Sequence, residues 1–365
     1  MIYFDNAATT QFKSEAVKKG ILDYLNNPGN PDRGSHANSL SASRMVLKTR
    51  IKLATFFDCD DFEKVIFTSG LTQSLNTVIK GLITKKDHVI TSIYEHNSVL
   101  RPLYQTNCDL DIIEDIYTIE SYIKENTKAI ILNHASNVTG EIQDIAYAGE
   151  ICKKHNILFI VDTGQSAGHI DISMKKNHID ILCFSGHKGL MGIQGIGGIC
   201  INTDVDIKPL VVGGSGIDSF SKVHPSIYPT KLEAGTLNVP GIISLYYALD
   251  FIDEYGLDTI YKHEKDLEEY CLSKLRKIDK VHVYREKANT VGVISFNIEG
   301  MDAAIVSDKL SNKYNICTRS GAHCAPLVHN HYGTKSMVRI SFGLQNTMDE
   351  IDILIKGLKE IIYED

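Results

Sequence analysis

Short apolar runs that stop abruptly at small or polar residues constrain this chain more than any other feature. Residues 181–184 (Ile-Leu-Cys-Phe) end in Ser185-Gly186-His187-Lys188, and residues 157–161 (Ile-Leu-Phe-Ile-Val) end in Asp162-Thr163-Gly164-Gln165. Unbroken runs of this length predict strands buried on both faces, the kind that parallel sheets contain. Further strands are expected at 64–67, 88–91 and 128–133, with helices at 14–26, 39–57, after Thr68 and at 143–155. Their alternation predicts an α/β fold around a mostly parallel sheet, and such sheets bind ligands outside the carboxyl ends of their strands.

Alone, an aspartate after a strand reads as the cap of the next helix, and a loop lysine as a solvated one. Asp162 and Lys188 stand together with Ser185, His187 and the glycine-rich stretch 192–198. That combination suits pyridoxal phosphate: the amine forms the Schiff base, and the carboxylate keeps the pyridine nitrogen protonated so that the ring accepts electrons. Thr72 closes Thr68-Ser69-Gly70-Leu71-Thr72, a strand-to-helix turn. Free N–H groups in such a turn favour phosphate, although an ordinary N-cap uses the same residues. His96 and Asn137 follow two other strands, so with Thr72, Asp162, Gln165 and Lys188 they describe one cleft. The turn-rich loop at 27–36 carries Arg33 and His36, which face either a site or plain solvent.

A helix introduced at 232–240 and led by Pro240 runs to about 255, and from there the texture changes. A second helix at 257–277, strands at 281–284, 292–298 and 338–342, and helices at 302–312 and 348–362 predict a smaller α+β domain joined through the Pro240 helix. The expected division is a large domain at 15–244 and a small one made of 1–14 and 245–365. Cys324, in Arg319-Ser320-Gly321-Ala322-His323-Cys324-Ala325-Pro326, follows no strand or helix period. Exposure beside Arg319 and His323 favours the thiolate, which is the reactive form. The alternatives are a structural loop cysteine, or a metal site with His323, His329 and His331 whose spacing matches neither a zinc finger nor an HExxH helix. Arg339, at the start of the 338–342 strand, either holds a carboxylate through two parallel hydrogen bonds or is a solvated edge residue.

With these residues assembled, the chain resembles the class V aminotransferase-like pyridoxal phosphate enzymes nearly end to end, and within them the cysteine desulfurases. The motifs that carry the resemblance are Tyr3-Phe-Asp-Asn-Ala-Ala-Thr-Thr10, Val161-Asp-Thr-Gly-Gln165, Ser185-Gly-His-Lys188, Glu233-Ala-Gly-Thr236 and Arg319-Ser-Gly-Ala-His-Cys324. It implies the aspartate-aminotransferase-like fold (fold type I) and a homodimer. Lys188 would carry the cofactor and remove the α-proton of the substrate. Asp162 would pair with the pyridine nitrogen and Gln165 with the phenolic oxygen, while His96 stacks on the ring with Asn137 beside it. Thr72, Ser185 and His187 would bind the phosphate, with Gly235 and Thr236 reaching it from the other subunit. Arg339 would bind the substrate carboxylate, with Arg319 and His36 also on the substrate side.

The resemblance further implies that Cys324 takes sulfur from L-cysteine as a persulfide while L-alanine leaves. A sulfur-acceptor protein would then serve iron–sulfur cluster or thiolation pathways. The Cys324 loop is similar to the short, arginine-led version of the Suf-type and selenocysteine lyase-like group. It departs from that group at Ala322, where histidine is common, and by one residue before Pro326. A selenocysteine lyase, acting on L-selenocysteine, or a cysteine sulfinate-type lyase is the nearest alternative. An aminotransferase or epimerase, or a non-catalytic scaffold, is more distant.

Composition narrows the setting. Hydrophobic residues at 43% and charged ones at 23% describe a soluble globular protein. A net charge of −7 with no basic run argues against nucleic acid as partner. No apolar run approaches the roughly 18 residues of a membrane span, and the start shows no signal-peptide pattern. Eight scattered cysteines without a CxxC pair are expected to be free, which suits a reducing cytoplasm.

Overall fold

The structure, a computed structural model, describes residues 1–31 and 34–363; Arg33 lies outside them. Strand β1 (Ile2–Tyr3) leads through a tight turn to helices α1 (Glu15–Asn26) and α2 (Ala37–Phe57). Strands and helices then alternate: β2 (Val65–Thr68), α3 (Leu71–Leu82), β3 (His88–Ser92), α4 (Asn97–Thr106), β4 (Asp109–Ile113), β5 (Thr127–Asn133), α5 (Ile145–His155), β6 (Leu158–Asp162), β7 (Ile181–Ser185) and β8 (Gly197–Ile201). Strands β2 to β8 form one sheet in the order β2-β8-β7-β6-β5-β3-β4. From β4 to β7 every pairing is parallel, and β8 runs antiparallel to both of its neighbours.

Residues along each strand alternate between two apolar layers, as a sheet covered on both faces requires. Ile130, Leu132, Phe159, Val161, Leu182 and Phe184 pack on one side with Leu53 and Phe57 of α2 and Ile151 of α5. Ile131, Ile160, Ile181 and Cys183 pack on the other with Leu75 and Val78 of α3 and Val99 of α4.

Two strands of this sheet differ from the sequence expectation. The glycine-rich stretch enters the sheet as β8, because only bare backbone fits there: a Cβ on Gly197 would lie 2.7 Å from the Phe184 carbonyl, and one on Gly198 2.5 Å from the Phe184 ring. β4 is an edge strand with Asp109 and Asp111 in it, a habit that protects a sheet edge and breaks up the apolar signal.

After β8, residues 202–229 form no strand or helix. Helix α6 (Val239–Tyr255) follows, capped by Asn238, whose Oδ1 accepts the Gly241 N–H at 3.1 Å. The rest comprises α7 (Leu257–Leu275), β9 (Val281–Val283), β10 (Val293–Ile298), α8 (Ala303–Tyr314), β11 (Ile316–Cys317), β12 (Arg319–Gly321), α9 (Pro326–His331), β13 (Met337–Ser341) and α10 (Met348–Tyr363). Strands β12-β13-β10-β9 make an antiparallel sheet, and β1 pairs parallel with β11. Ile242, Leu245 and Leu249 of α6, and Ile260 of α7, belong to the core of the large sheet, whereas Phe4, Leu267, Phe296 and Leu354 share a second core. A boundary at 244 therefore cuts through the first core. We propose instead a division inside α7, between Ile260 and Leu267, with the N-terminal strand in the second unit.

Candidate active site at the carboxyl edge of the sheet

The carboxyl ends of β2, β3, β5, β6 and β7 open into one cavity of about 310 Å³, where Thr72, His96, Asn137, Asp162, Gln165, Ser185, His187 and Lys188 come together. One wall is the N-terminus of α3. Gly70 opens that helix with φ 148°, a value glycine adopts freely. Ser69 N–H donates to Gln73 Oε1 at 2.7 Å. The first N–H groups of a helix have no acceptor inside it, so Leu71, Thr72 and Gln73 present donors along the cavity wall. Thr72 Oγ1 and Ser98 Oγ share a hydrogen bond of 2.8 Å.

His96 caps α4: its Nδ1 accepts the Ser98 N–H at 3.0 Å, which leaves the proton on Nε2. Burial, then the charges of Lys188 and Arg339, pull its pKa down to about 4, so the ring is neutral. His187 is lowered to about 4 by burial and then by the charges of Lys188 and Lys13, and its buried Nδ1 has no partner.

Asp162 ends β6. Its Oδ1 accepts the Gly164 N–H at 2.8 Å, and its pKa is raised by burial against the opposing effects of that N–H and of Lys188. A Cβ on Gly164 would lie 2.5 Å from Leu71 Cδ2 and 3.0 Å from Asp162 Oδ1, so glycine is required for this contact. Gln165 Nε2 donates to the Ala7 carbonyl at 3.1 Å.

Lys188 lies just past β7, and the Asp5–Thr10 turn clamps its backbone. Thr10 N–H donates to the His187 carbonyl at 3.1 Å, and Thr10 Oγ1 to the Lys188 carbonyl at 2.5 Å. Burial lowers the Lys188 amine to about 8, with Asp162 acting in the opposite direction. Among the described residues its Nζ has no hydrogen-bond or ion-pair partner.

The second unit does not line this cavity, but Arg339 and Arg319 lie near enough for their charges to act on Lys188 and His96. Arg339 on β13 is buried; its Nη1 donates to the Asn137 carbonyl at 2.9 Å and its Nη2 to Asp5 Oδ1 at 3.0 Å. Arg319 is its cross-strand neighbour and lies 3.6 Å from Asp5 Oδ2. Like charges directly opposite on paired strands repel, and the Asp5 carboxylate sits between these two. Asp5 stands out in the sequence only by its place in the opening motif.

Cys324 is exposed, and its carbonyl accepts the Asn97 N–H at 2.7 Å, beside His96. Asn137 Nδ2 donates to the His323 carbonyl at 2.8 Å. The histidine expected to favour a thiolate does not do so. Burial pushes the His323 pKa down to about 3, and the neutral ring turns away to the Met337 carbonyl at 3.1 Å. His331 pairs with Glu286 at 3.0 Å, and no group of three or more His, Cys, Asp or Glu side chains able to hold a metal ion occurs among the described residues.

Three expected residues lie elsewhere in this chain. His36 is exposed and caps α2, its Nδ1 accepting the Ser39 N–H at 3.4 Å. It does not line the cavity. Gly235 and Thr236 are also exposed and outside it, with Gly235 N–H donating to the Gly214 carbonyl at 2.8 Å.

The donor set matches a phosphorylated pyridine aldehyde: an unpaired amine, a carboxylate oxygen held in place by Gly164, and a helix N-terminus for the phosphate. Fold and site together define a class of protein. The model of the family described as aminotransferase class-V matches residues 2–354, and the chain belongs to that family. Its full-length relatives include the probable cysteine desulfurases of Methanothermobacter thermautotrophicus (32% identical, covering 99% of this chain and 94% of that protein) and Borreliella burgdorferi (33%, covering 100% and 92%). Among solved structures it is similar to the apo cysteine desulfurase of Thermococcus onnurineus NA1, with TM-score 0.92 and 33% identity over 99% of this chain and 94% of that one. It is also similar to the cysteine desulfurase CsdA of Escherichia coli, with TM-score 0.89 and 26% identity over 98% and 94%.

Proposed function

We propose that this chain holds pyridoxal phosphate in the cavity and moves sulfur from L-cysteine onto Cys324. Cysteine desulfuration is the activity of the full-length relatives, and the chain is a cysteine desulfurase of their family. The observation that supports the residue assignments best is the unpartnered Lys188 amine, in one cavity with Asp162 and the α3 N-terminus.

Asp162 would hold the ring nitrogen, Gln165 the phenolic oxygen and neutral His96 the ring face. The α3 N-terminus with Thr72, Ser185 and His187 would hold the phosphate. Bound there, the cofactor supplies an electron sink for the carbon that loses its proton. Lys188, its amine lowered to about 8, is partly unprotonated near neutrality and takes the α-proton at Nζ. Arg339, already oriented by Asp5 and Asn137, holds the substrate carboxylate, and Arg319 adds positive charge beside it.

The Cys324 thiolate then attacks the sulfur of the bound cysteine. An S–S bond forms and the Cβ–S bond breaks, with its electron pair left on Cβ. That carbon takes a proton to become a methyl group, Lys188 returns a proton to the α-carbon, and alanine departs. The two sulfurs are oxidised to a persulfide and the carbon is reduced, so no outside oxidant is needed. A thiol of an acceptor protein would collect the outer sulfur for iron–sulfur clusters or thiolated products. Similarity to CsdA supports the Suf-type reading of the short loop.

A homodimer would bring Gly235 and Thr236 of one subunit to the phosphate of the other. Eight free cysteines fit a cytoplasmic setting, and no helix among the described residues is long and apolar enough to cross a membrane.

Alanine and sulfide release from L-cysteine with reductant tests this reading. The native chain should release both in equal amounts, and Cys324→Ser should release neither. A serine variant that keeps full turnover would hand the site to the lyase reading, in which Cys324 is dispensable.

A further inference from the structure

The loop that carries Cys324 is a fixed turn. Ala325 N–H donates to the Ala322 carbonyl at 3.0 Å, and the two residues between, His323 and Cys324, have φ of 49° and 55°. A two-residue turn with both central residues left-handed is the geometry that glycine and asparagine ordinarily supply. Neither is present. Histidine is enriched in the left-handed region relative to most residues, but a cysteine there must be held by its surroundings.

Three hydrogen bonds do the holding. Asn137 Nδ2 reaches the His323 carbonyl at 2.8 Å, and the Asn97 N–H reaches the Cys324 carbonyl at 2.7 Å. Both use backbone oxygens, so any residue type could accept them once the turn exists. The third belongs to one side chain: His323 Nε2 donates to the Met337 carbonyl at 3.1 Å, in β13, two residues before Arg339. The His323 residue is only 7% exposed, and its neutral state keeps the proton on the nitrogen that makes this bond. Asn137 also accepts from Arg339 Nη1 through its carbonyl at 2.9 Å, so one asparagine joins the carboxylate-binding arginine to the turn.

We propose that His323 is the positioning residue for Cys324: its ring locks the left-handed turn onto β13 and so fixes the thiol relative to Arg339 and the cavity. The inference rests on the desulfurase reading above. His323 itself touches no reacting atom. It acts through the backbone of the residue it precedes.

The test compares the holoenzyme with His323→Asn and His323→Val. Asparagine accepts the left-handed conformation but is too short to replace the bond to Met337, and a β-branched valine resists positive φ. Persulfide on Cys324 is followed by mass after a single turnover with L-cysteine. The rate should fall roughly tenfold in the asparagine variant and on the order of a hundredfold in the valine variant, as expected for a reacting group displaced by about an ångström. KM for L-cysteine should stay unchanged, because Arg339 is intact, while kcat falls. The visible absorbance of bound cofactor should persist, and iodoacetamide should alkylate Cys324 no more slowly than in the native chain.

A valine variant that forms persulfide at the native rate would overturn the proposal. Should that variant lose its cofactor, the asparagine variant decides by the same rate. A native chain that binds cofactor but forms no persulfide would overturn the desulfurase reading itself, and this inference with it.

Discussion

Glu95 lies directly beneath the site, fully buried, with Oε1 accepting the Ser92 hydroxyl at 2.7 Å and the Asn133 N–H at 2.9 Å. Its Oε2 has no partner. Burial pushes this carboxyl up to about 8, and nearby Asp162 pushes the same way against the two hydrogen bonds. The proton therefore belongs on Oε2, and the group is a neutral post under the strand end that carries His96. A carboxyl that stays protonated in the folded chain to about pH 8, but ionises near 4.5 once unfolded, binds one more proton in the folded state across that interval. Stability falls as pH rises through the window, by up to about 1.4 kcal/mol per pH unit. Glu95→Gln removes this proton, so the difference between variant and native stability should swing in favour of the variant from pH 5 toward pH 8. Urea unfolding at several pH values measures that difference. A constant difference across the range would mean that Glu95 is ionised in the folded chain.

Among elements, the pair formed by Arg50 of α2 and Glu233 ties the loop before α6 to the sheet. Arg50 Nη2 lies 2.5 Å from Glu233 Oε2, Glu233 Oε1 accepts the Phe67 N–H at 2.6 Å, and both side chains are buried. Glu233→Gln would keep the shape but leave the guanidinium without its countercharge, a loss of about 3–5 kcal/mol for a buried pair. The thermal midpoint should drop clearly, and, on the proposed role of Gly235 and Thr236, which follow this anchor in the chain, cofactor should dissociate more readily. An unchanged midpoint would mean the pair contributes no net stability. The motif around Glu233 was legible in the sequence, and so were the ends of β5, β6 and β7, because unbroken apolar runs closed by Asn, Asp or Ser-Gly-His-Lys have few other readings. The turn at Cys324 was not legible: no period covers it, and what shapes it comes from Asn97, Asn137 and Met337, far away in the chain. The split between the cores was hidden too, since α7 keeps one amphipathic pattern while it passes from Ile260 in one core to Leu267 in the other.

At the scale of the whole molecule, residues 202–229 leave large apolar side chains uncovered. Phe220 is 102% exposed, Val223 76%, Ile227 66% and Val212 63%, all on a stretch without strand or helix. Soluble monomers rarely leave so much apolar surface together, and patches of this kind mark interfaces. The stretch leads into Gly235 and Thr236, which are exposed and outside the cavity of their own chain. A second copy resting on it would cover the apolar residues and receive Gly235 and Thr236 at its phosphate in one arrangement, and two-fold symmetry makes the exchange mutual. Sedimentation equilibrium should therefore give twice the chain mass. Phe220→Asp combined with Val223→Asp would place unpaired charge in that contact, at a penalty of several kcal/mol, and should yield a monomer. Loss of cofactor in step with dissociation is the result that ties the two roles together. A monomeric native chain that keeps its cofactor on dilution would show that one copy completes its own site, and the assignment of Gly235 and Thr236 across an interface would fall.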